Sequence, residues 1–238
     1  MNKSRIEWTD YTINPVKGLC PMACSYCYAR AMYKRFGWNP EIRVDLPTIY
    51  SVDMAKPNSK IFVGSTIELF GDWVEPEWWD YIWGMVKARP EYTFIFLTKK
   101  PENLIKWSPF PDNCWVGVSI TDNNTYIGDL IGIEAKVKFL SVEPLLKWAR
   151  HIEQKKQLHF ILQRLGINWI IIGQRTPISK KTTPKIEWVR EIVKAADKAN
   201  IPVFLKNNLL PLFEAEGITK RDDWTGIRQE MPMEGEVC

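Results

Sequence analysis

Short apolar runs with a strand-like composition alternate with helix-like segments along most of the chain. Two of these runs, Ile61-Phe62-Val63 and Ile170-Ile171-Ile172, are continuously apolar. Strands of this kind are buried on both faces, as in parallel sheets that helices cover on each side. Alternation of strand and helix also implies parallel strands joined by right-handed crossovers. The pattern therefore predicts a mostly parallel α/β fold.

The periodicity gives bounds for the predicted elements. Strands are expected at Tyr11–Gly18, the weakest of them, and at Lys60–Ser65, Thr93–Thr98, Cys114–Ile120, Val137–Val142, Asn168–Gly173 and Pro202–Lys206. Helices are expected at Tyr28–Phe36, Pro76–Ala88, Ile127–Ala135, Trp148–Leu165 and Lys185–Ala199. A length of 238 residues suits one domain. We predict a single TIM-like barrel, partial or nearly complete, of about six or seven strand–helix units over residues 11–215, followed by a charged extension at 216–238.

Charge and composition narrow the functional classes only slightly. Lys and Arg outnumber Asp and Glu by 32 to 28, so the net charge of +4 permits a polyanionic partner without requiring one. The N-terminus is polar, and the apolar runs are too short to cross a bilayer. We therefore expect a cytoplasmic protein that has no membrane contact. The aromatic run Trp73, Trp78, Trp79 and Trp83 has near-helical spacing, which favours helix packing over a base-stacking surface.

Three of the five cysteines, Cys20, Cys24 and Cys27, lie within eight residues of one another. In a reducing compartment, thiols this close indicate metal or cluster ligation. Three thiolates can hold a cubane iron–sulfur core and leave one of its four irons open to bind and activate a substrate. A zinc site is the alternative, but it needs a fourth protein ligand. The chain has only two histidines, His151 and His159, and both fall in a predicted helix.

The other two cysteines are predicted not to be ligands. Cys114 begins a predicted strand, at the end opposite the strand's carboxyl terminus, which indicates a buried and inert thiol. Cys238 is the last residue of the tail. Too few cysteines therefore remain for a second cluster.

Polar residues follow each predicted strand. In parallel α/β folds, the carboxyl ends of strands and the loops after them form the active-site face. Any single strand must end in polar residues, but the repetition predicts one mouth that the cysteine loop shares. The candidate residues at these strand ends are Ser65, Thr66, Glu68, Lys99, Lys100, Ser119, Glu143, Gln174, Arg175 and Lys206.

The cysteine spacing is similar to a known signature. The pattern C-x-x-x-C-x-x-C, with the aromatic Tyr26 just before the last cysteine, resembles that of the radical SAM superfamily. This resemblance implies a [4Fe-4S] cluster whose open iron chelates the amino and carboxylate groups of S-adenosylmethionine. Reduction of the cluster then yields a 5'-deoxyadenosyl radical that abstracts hydrogen from a substrate. An electron donor such as a flavodoxin or ferredoxin is also implied.

The same resemblance suggests roles for the strand-end residues. The turn at 65–68 would accept hydrogen bonds from the cofactor ammonium, as the turn after the second strand does in the superfamily. Ser119 would reach the ribose or the carboxylate, and Glu143 the ribose or the substrate. Tyr26 would approach the adenine through its neighbouring backbone, and Gln174 is a further candidate for cofactor binding. Each of these residues has a structural alternative, which is to cap a helix or to pair locally.

Four cations are candidates for substrate binding. They are Lys99, Lys100, Arg175 and Lys206. Because all four follow predicted strands, they would favour an anionic substrate at the mouth. The alternative is that the lysines are solvated loop residues.

A closer resemblance extends over nearly the whole chain, to a phage-associated, radical SAM-like family of unknown function. It includes the stretches Phe96–Glu102, Val116–Ser119 and Phe139–Leu146. The chain is also distantly similar to the spore photoproduct lyases. These resemblances imply a radical enzyme that acts on a nucleic acid or nucleotide. The alternative is a cluster-binding redox sensor or binding protein without turnover.

The chain departs from the expected patterns at two turns. Gly173-Gln174-Arg175 stands where the phage-associated family usually has Gly-Gly-Glu. Ser65-Thr66-Ile67-Glu68 stands where typical radical SAM enzymes have Gly-Gly-Glu-Pro. The first departure replaces an acid with a neutral amide followed by a cation, and it puts the role of Gln174 in doubt.

Overall fold

The computed structural model describes residues 1–121, 127–148, 152–218 and 228–232. Its strands are β1 (Asn2–Lys3), β2 (Tyr11–Ile13), β3 (Val16–Lys17), β4 (Arg43–Val44), β5 (Lys60–Val63), β6 (Thr93–Thr98), β7 (Cys114–Ser119), β8 (Val137–Val142), β9 (Trp169–Ile172) and β10 (Val203–Leu205). Its α-helices are α1 (Tyr28–Phe36), α2 (Leu46–Tyr50), α3 (Pro76–Lys87), α4 (Ile152–Arg164), α5 (Ile186–Lys198) and α6 (Leu210–Ala215). Short 3-10 helices span Ser51–Met54, Pro101–Trp107, Gly128–Gly132 and Asn207–Leu209.

The fold is mixed α/β, with a mostly parallel sheet that contains eight strands within the described residues. Such a sheet is consistent with a TIM-like fold. The chain divides into two compact units, the first at residues 1–116 and 134–136, and the second at 117–133 and 137–238. Within the described ranges, no helix has the length and apolar character needed to cross a membrane.

The first unit is built around parallel strands β2, β5 and β6. Tyr11 of β2 lies opposite Ile61 of β5, which lies opposite Phe94 of β6. The short strand β1 pairs antiparallel with β2, and β3 forms a separate antiparallel pair with β4. The helix α3 begins at Pro76, where the missing N–H of proline costs no hydrogen bond.

Aromatic side chains fill the core beside α3. The ring of Trp79 stacks on that of Trp83, with centroids 5.1 Å apart. Its centroid also lies 4.9 Å from that of Phe70 and 4.6 Å from that of Trp107. Contacts of this kind add to the free energy of burial. The prediction that the tryptophan run serves packing is therefore confirmed for Trp79 and Trp83.

The second unit contains parallel strands β8, β9 and β10. Ser141 of β8 lies opposite Ile171 of β9, which lies opposite Phe204 of β10. The helix α5 packs an apolar face whose members recur at helical spacing. Its buried residues are Ile186, Val189, Ile192, Val193, Ala195 and Ala196.

Part of the predicted C-terminal extension pairs with β10. The Leu205 N–H donates to the Arg228 carbonyl at 2.7 Å, and the Glu230 N–H donates to the Val203 carbonyl at 3.1 Å. The indole N–H of the buried Trp169 donates to the Glu230 carbonyl at 2.8 Å. Residues 228–230 therefore satisfy backbone groups that the edge of β10 would otherwise expose.

Most predicted elements are confirmed within a residue or two, and β6, β8 and α1 have the predicted bounds. The predicted strand Tyr11–Gly18 is wrong as a single element, because β2 ends at Ile13 and residues 16–17 pair with β4. Pro15 interrupts it, since proline cannot donate to a ladder. The sheet has one strand more than the upper number predicted, because β1 had no strand-like pattern.

Two predicted helices also differ from the structure. The segment Ile127–Ala135 contains a 3-10 helix at Gly128–Gly132 rather than an α-helix. Its two glycines disfavour α-helix through their conformational entropy. Of the predicted helix Trp148–Leu165, α4 accounts for Ile152–Arg164. His151 lies outside the described residues.

Candidate functional site

The three clustered cysteines lie in a turn-rich loop between β3 and α1. The Ala23 N–H donates to the Cys20 carbonyl at 3.4 Å, and the Cys27 N–H donates to the Cys24 carbonyl at 3.0 Å. The Sγ of Cys27 caps α1 by accepting the Arg30 N–H at 3.5 Å. All three thiols are free and half-buried. The loop therefore holds three sulfur atoms within two consecutive turns, partly open to solvent.

Side chains of α1 reach back to this loop and to the end of β5. The Arg30 guanidinium donates to the Cys20 carbonyl at 2.6 Å. The Tyr28 hydroxyl donates to the Ser65 carbonyl at 2.8 Å. The helix that follows the cysteines thus fixes both the loop and the turn after β5.

Gly18 allows the chain to enter the loop. Its φ of +133° is a conformation that favours glycine. A Cβ at this position would lie 2.6 Å from the Ile42 Cα, which leaves no room for any side chain. The Gly18 N–H also donates to the Tyr33 hydroxyl at 2.8 Å. A glycine is therefore required two residues before the first cysteine.

The turn after β5 contacts the cysteine loop directly. The Glu68 N–H points to the Cys20 Sγ at 3.5 Å. The side-chain oxygen of Asn14 accepts from the Ser65 hydroxyl at 3.2 Å and from the Thr66 N–H at 3.1 Å. Burial raises the pKa of the Cys20 thiol above its ordinary value, and the Glu68 N–H opposes that rise. Within the first unit, the structure therefore brings the predicted residues at 65–68 to the first cysteine.

The Glu68 side chain is buried, with 8% of the residue exposed. Its Oε1 accepts from the Thr98 hydroxyl at 2.6 Å and from the Phe70 N–H at 3.1 Å. Its Oε2 accepts from the Lys99 N–H at 2.7 Å. Burial raises the pKa of Glu68, and these hydrogen bonds oppose the rise. The carboxyl group braces the turn after β5 against the end of β6, and its role toward a cofactor ammonium stays a prediction.

The two lysines after β6 differ in their surroundings. The Lys100 ammonium pairs with Asp72 at 3.0 Å and lies 3.6 Å from Glu102. The hydrogen bond to Asp72 raises the pKa of Lys100. Lys99 is half-buried, and its backbone N–H is the group that contacts Glu68. Lys100 is therefore already neutralised by carboxylates, and substrate binding by either lysine stays a prediction.

The second unit places Glu143 and Lys206 in one ion pair. Their side chains are 23% and 16% exposed, and Lys206 Nζ donates to Glu143 Oε1. Gly173 lies against this pair, because a Cβ there would be 3.0 Å from Glu143 Cδ and 3.0 Å from Lys206 Cδ. The glycine after β9 therefore packs closely against the ion pair, and the predicted cation Lys206 is neutralised by Glu143.

Gln174 forms an amide cluster with Asn208. Its backbone N–H donates to Asn208 Oδ1 at 3.1 Å, and Asn208 Nδ2 donates to the Gln174 carbonyl at 2.7 Å. The Gln174 side-chain amide also donates to the Asn208 carbonyl. Among the described residues, its buried Oε1 has no hydrogen-bond partner. Sequence reasoning did not make Asn208 a candidate, although it lies two residues after the last predicted strand.

The remaining candidate residues differ in their burial. Ser119 is buried at the end of β7, whereas Tyr26 and Arg175 are half-buried. Cys114 is buried, as predicted, and burial raises its pKa to about 12, whereas its inertness stays a prediction. Their roles toward a cofactor or substrate stay predictions.

The donor chemistry of the loop fits a cluster. In the part of the chain that the structure describes, no three His, Cys, Asp or Glu side chains are placed so that they could hold a single metal ion. The thiolates that hold a cluster bind different irons, so they need not converge on one point. Backbone N–H groups from Glu68 and Arg30 already point at two of the three sulfur atoms. Hydrogen bonds to sulfur are a main means by which proteins tune clusters.

Comparison with known families gives a match. A family model described as "Protein of unknown function (DUF5131)" matches residues 3–209, which is most of the chain. The chain belongs to the DUF5131 family. A comparison of this DUF5131 chain with curated proteins finds no match.

Solved structures of spore photoproduct lyase share the fold of this DUF5131 member. A double mutant with bound AdoMet and dinucleoside spore photoproduct is 18% identical, with a TM-score of 0.52 over 83% of this chain. The DUF5131 chain spans 63% of that structure's length. A single mutant gives a TM-score of 0.58 at 14% identity, over 86% of this chain and 78% of its own. At these identities the likeness shows the fold alone.

Proposed function

We propose that the protein is a radical SAM enzyme in which Cys20, Cys24 and Cys27 hold a [4Fe-4S] cluster. When bound, this group would supply the electron that cleaves S-adenosylmethionine to a 5'-deoxyadenosyl radical, which then abstracts hydrogen from the substrate. The observation that carries the proposal is the loop itself, whose three thiols are half-buried and whose first cysteine, Cys20, contacts the turn after the parallel strand β5. The fold shared with spore photoproduct lyase supports the same conclusion.

The chain's own residues would position and tune this site. The Glu68 N–H lowers the electron density on the Cys20 sulfur, and the Arg30 N–H does so on Cys27. Arg30 also fixes the backbone of the loop through the Cys20 carbonyl. The buried Glu68 carboxyl keeps the turn in place by its bonds to the end of β6. These contacts preorganise the loop, so that little rearrangement accompanies reconstitution.

The proposed substrate is a nucleic acid or nucleotide. One of the structures with the same fold holds AdoMet and a dinucleoside spore photoproduct. The net charge of +4 is compatible with an anionic substrate. We further propose a cytoplasmic enzyme that a flavodoxin or ferredoxin reduces, and that is associated with phage genomes as the sequence resemblance implies.

The first experiment is anaerobic reconstitution with iron and sulfide, reduction with dithionite, and addition of S-adenosylmethionine. The wild type should form 5'-deoxyadenosine, and Cys24→Ala should not. Cys114→Ala is the matched control, because this buried thiol lies outside the loop, and it should retain activity. A bound cluster that forms no 5'-deoxyadenosine would instead favour a cluster-based redox sensor or binding protein. Stoichiometric zinc without iron would favour a structural zinc domain.

A further inference from the structure

An exposed aromatic and basic surface lies at the C-terminal end of α1. It consists of Lys34, Arg35, Phe36 and Trp38, and is named here the α1-end surface. Phe36 is 53% exposed and Trp38 is 42% exposed. Rings of this size are usually buried, so neighbouring exposed rings indicate a contact surface.

The end of α1 builds this surface. Gly37 adopts a left-handed conformation with φ of +60°, and its N–H caps the helix by donating to the Tyr33 carbonyl. The chain therefore turns back, and the Trp38 ring packs edge-on against the Tyr33 ring with centroids 5.3 Å apart. The rings of Phe36 and Trp38 are stacked, with centroids 5.5 Å apart and planes inclined by 23°. The two exposed rings are thus held in a defined arrangement.

Two cations, Lys34 and Arg35, adjoin these rings. The Arg35 guanidinium carbon lies 5.3 Å from the Phe36 ring centroid, which is a cation–π geometry. Lys34 is exposed next to it. From Lys34 to Pro40 the sequence contains two cations and no Asp or Glu. A purely apolar partner would not require these cations, whereas a polyanion with flat apolar groups matches both features.

We propose that the α1-end surface binds single-stranded nucleic acid. Bases would stack on the parts of the Phe36 and Trp38 rings that their mutual stacking leaves exposed, as they do on aromatic side chains in sequence-tolerant single-strand binders. Lys34 and Arg35 would pair with the phosphates. A duplex hides its base faces within the stack, so this surface favours single-stranded or unstacked bases.

The surface also lies close to the proposed radical site. The helix α1 has nine residues and begins directly after Cys27, which caps it. At 1.5 Å per residue, the surface is about 14 Å along the helix from that cysteine. At this distance the surface could hold a nucleic-acid substrate near the cysteine loop, and this role rests on the proposed function. The binding itself requires neither cluster nor cofactor.

Fluorescence anisotropy with the full-length protein tests the proposal. The probe is a fluorescein-labelled thymidine 12-mer, titrated at 50 mM and 200 mM salt, with the 12-mer annealed to its complement as comparison. The single strand should bind more tightly than the duplex. Trp38→Ala should weaken binding about tenfold, because stacking contributes about 1–3 kcal/mol per base. Lys34→Ala should reduce the salt dependence by about 0.7 in the slope of log K against log salt.

Matched variants separate binding from folding. Trp38→Phe keeps a stacking ring and should bind nearly as the wild type does. Tyr81→Ala removes an exposed ring on α3, outside the surface, and should leave binding unchanged. Circular dichroism on each variant shows whether the fold is retained.

Three results would overturn the proposal. The first is that the protein binds no single strand at 50 mM salt, and the second is that Trp38→Ala and Lys34→Ala both bind with wild-type affinity. The third result is that the wild type forms a dimer and Trp38→Ala does not. The last result would show that a second copy covers the surface. Binding that depends on Trp38, in a protein that forms no 5'-deoxyadenosine, would support the surface while refuting the proposed enzyme.

Discussion

Replacement of Thr98 by valine tests the brace between β6 and the turn after β5. The Thr98 hydroxyl donates to Glu68 Oε1 at 2.6 Å and accepts the Lys100 N–H at 2.9 Å. Thr98 is 1% exposed, so water cannot readily replace the lost partner. Valine has nearly the same shape as threonine, and the change therefore removes hydrogen bonds without opening a cavity.

The expected loss of stability depends on the hydrogen bonds that Glu68 keeps when the Thr98 hydroxyl is removed. Removing one partner of a buried polar group costs about 1–3 kcal/mol, and more when that group is charged. Glu68 Oε1 keeps the Phe70 N–H at 3.1 Å, and Oε2 keeps the Lys99 N–H at 2.7 Å. We therefore expect a loss of about 2 kcal/mol in the free energy of unfolding. For a chain of this size, this corresponds to a melting temperature lower by about 4–8 °C.

The assay is urea unfolding of the cluster-free protein under anaerobic conditions, with circular dichroism as the signal. Thr93→Val is the matched control, because Thr93 begins the same strand and is only half-buried. That control should change stability by less than about 0.5 kcal/mol. Thr98→Ser keeps the hydroxyl and should recover part of the loss.

The same substitution should also change the contact between the turn after β5 and the cysteine loop. A looser turn would move the Glu68 N–H away from the Cys20 sulfur, so the proposed cluster would be stabilised less in its reduced state. The reconstituted Thr98→Val protein should have a lower reduction potential than the wild type in an anaerobic redox titration. Equal stability of Thr98→Val and Thr93→Val would refute the brace, and an unchanged potential in a destabilised Thr98→Val would refute its link to Cys20.

Three further predictions follow from burial and charge. Iodoacetamide at pH 8 should label the loop cysteines but not Cys114, because burial raises the pKa of Cys114 to about 12. Cys114 should become labelled only when urea unfolds the protein. Labelling of Cys114 in the folded protein, detected by peptide mass spectrometry, would contradict this prediction. Gly173→Ala should cost about 1 kcal/mol in urea unfolding, because its Cβ would lie 3.0 Å from Glu143 Cδ and Lys206 Cδ and the ion pair must shift to admit it. Gly84→Ala, in open space on α3, should instead stabilise the protein by about 0.5–1 kcal/mol. Burial by itself raises the pKa of Glu230, but hydrogen bonds from Arg228 and the Val203 N–H outweigh it and lower that pKa below 4.5. The carboxylate therefore stabilises the fold above pH 4.5 and loses this effect as the pH falls through its folded pKa, so the stability difference between wild type and Glu230→Gln should shrink in acid.

Local patterns predicted most elements because they carry their own physical cause. The run Thr93–Thr98 is apolar and β-branched, and α1 is bounded by Cys27 as cap and by Gly37 as terminator. The strand β1 was missed because two exposed residues have no periodicity and depend on pairing with β2. The brace between Glu68 and Thr98 was missed for a related reason, since the two residues are 30 positions apart.

The sequence by itself determined the alternation of strands and helices and the spacing of the three cysteines. These features depend on side-chain size, backbone freedom and short-range spacing, all of which can be read along the chain. Only the tertiary structure decided that Glu68 is buried, that Glu143 neutralises Lys206, and that Phe36 and Trp38 remain exposed together. Burial and pairing depend on which distant segments meet, and a single sequence does not encode that locally.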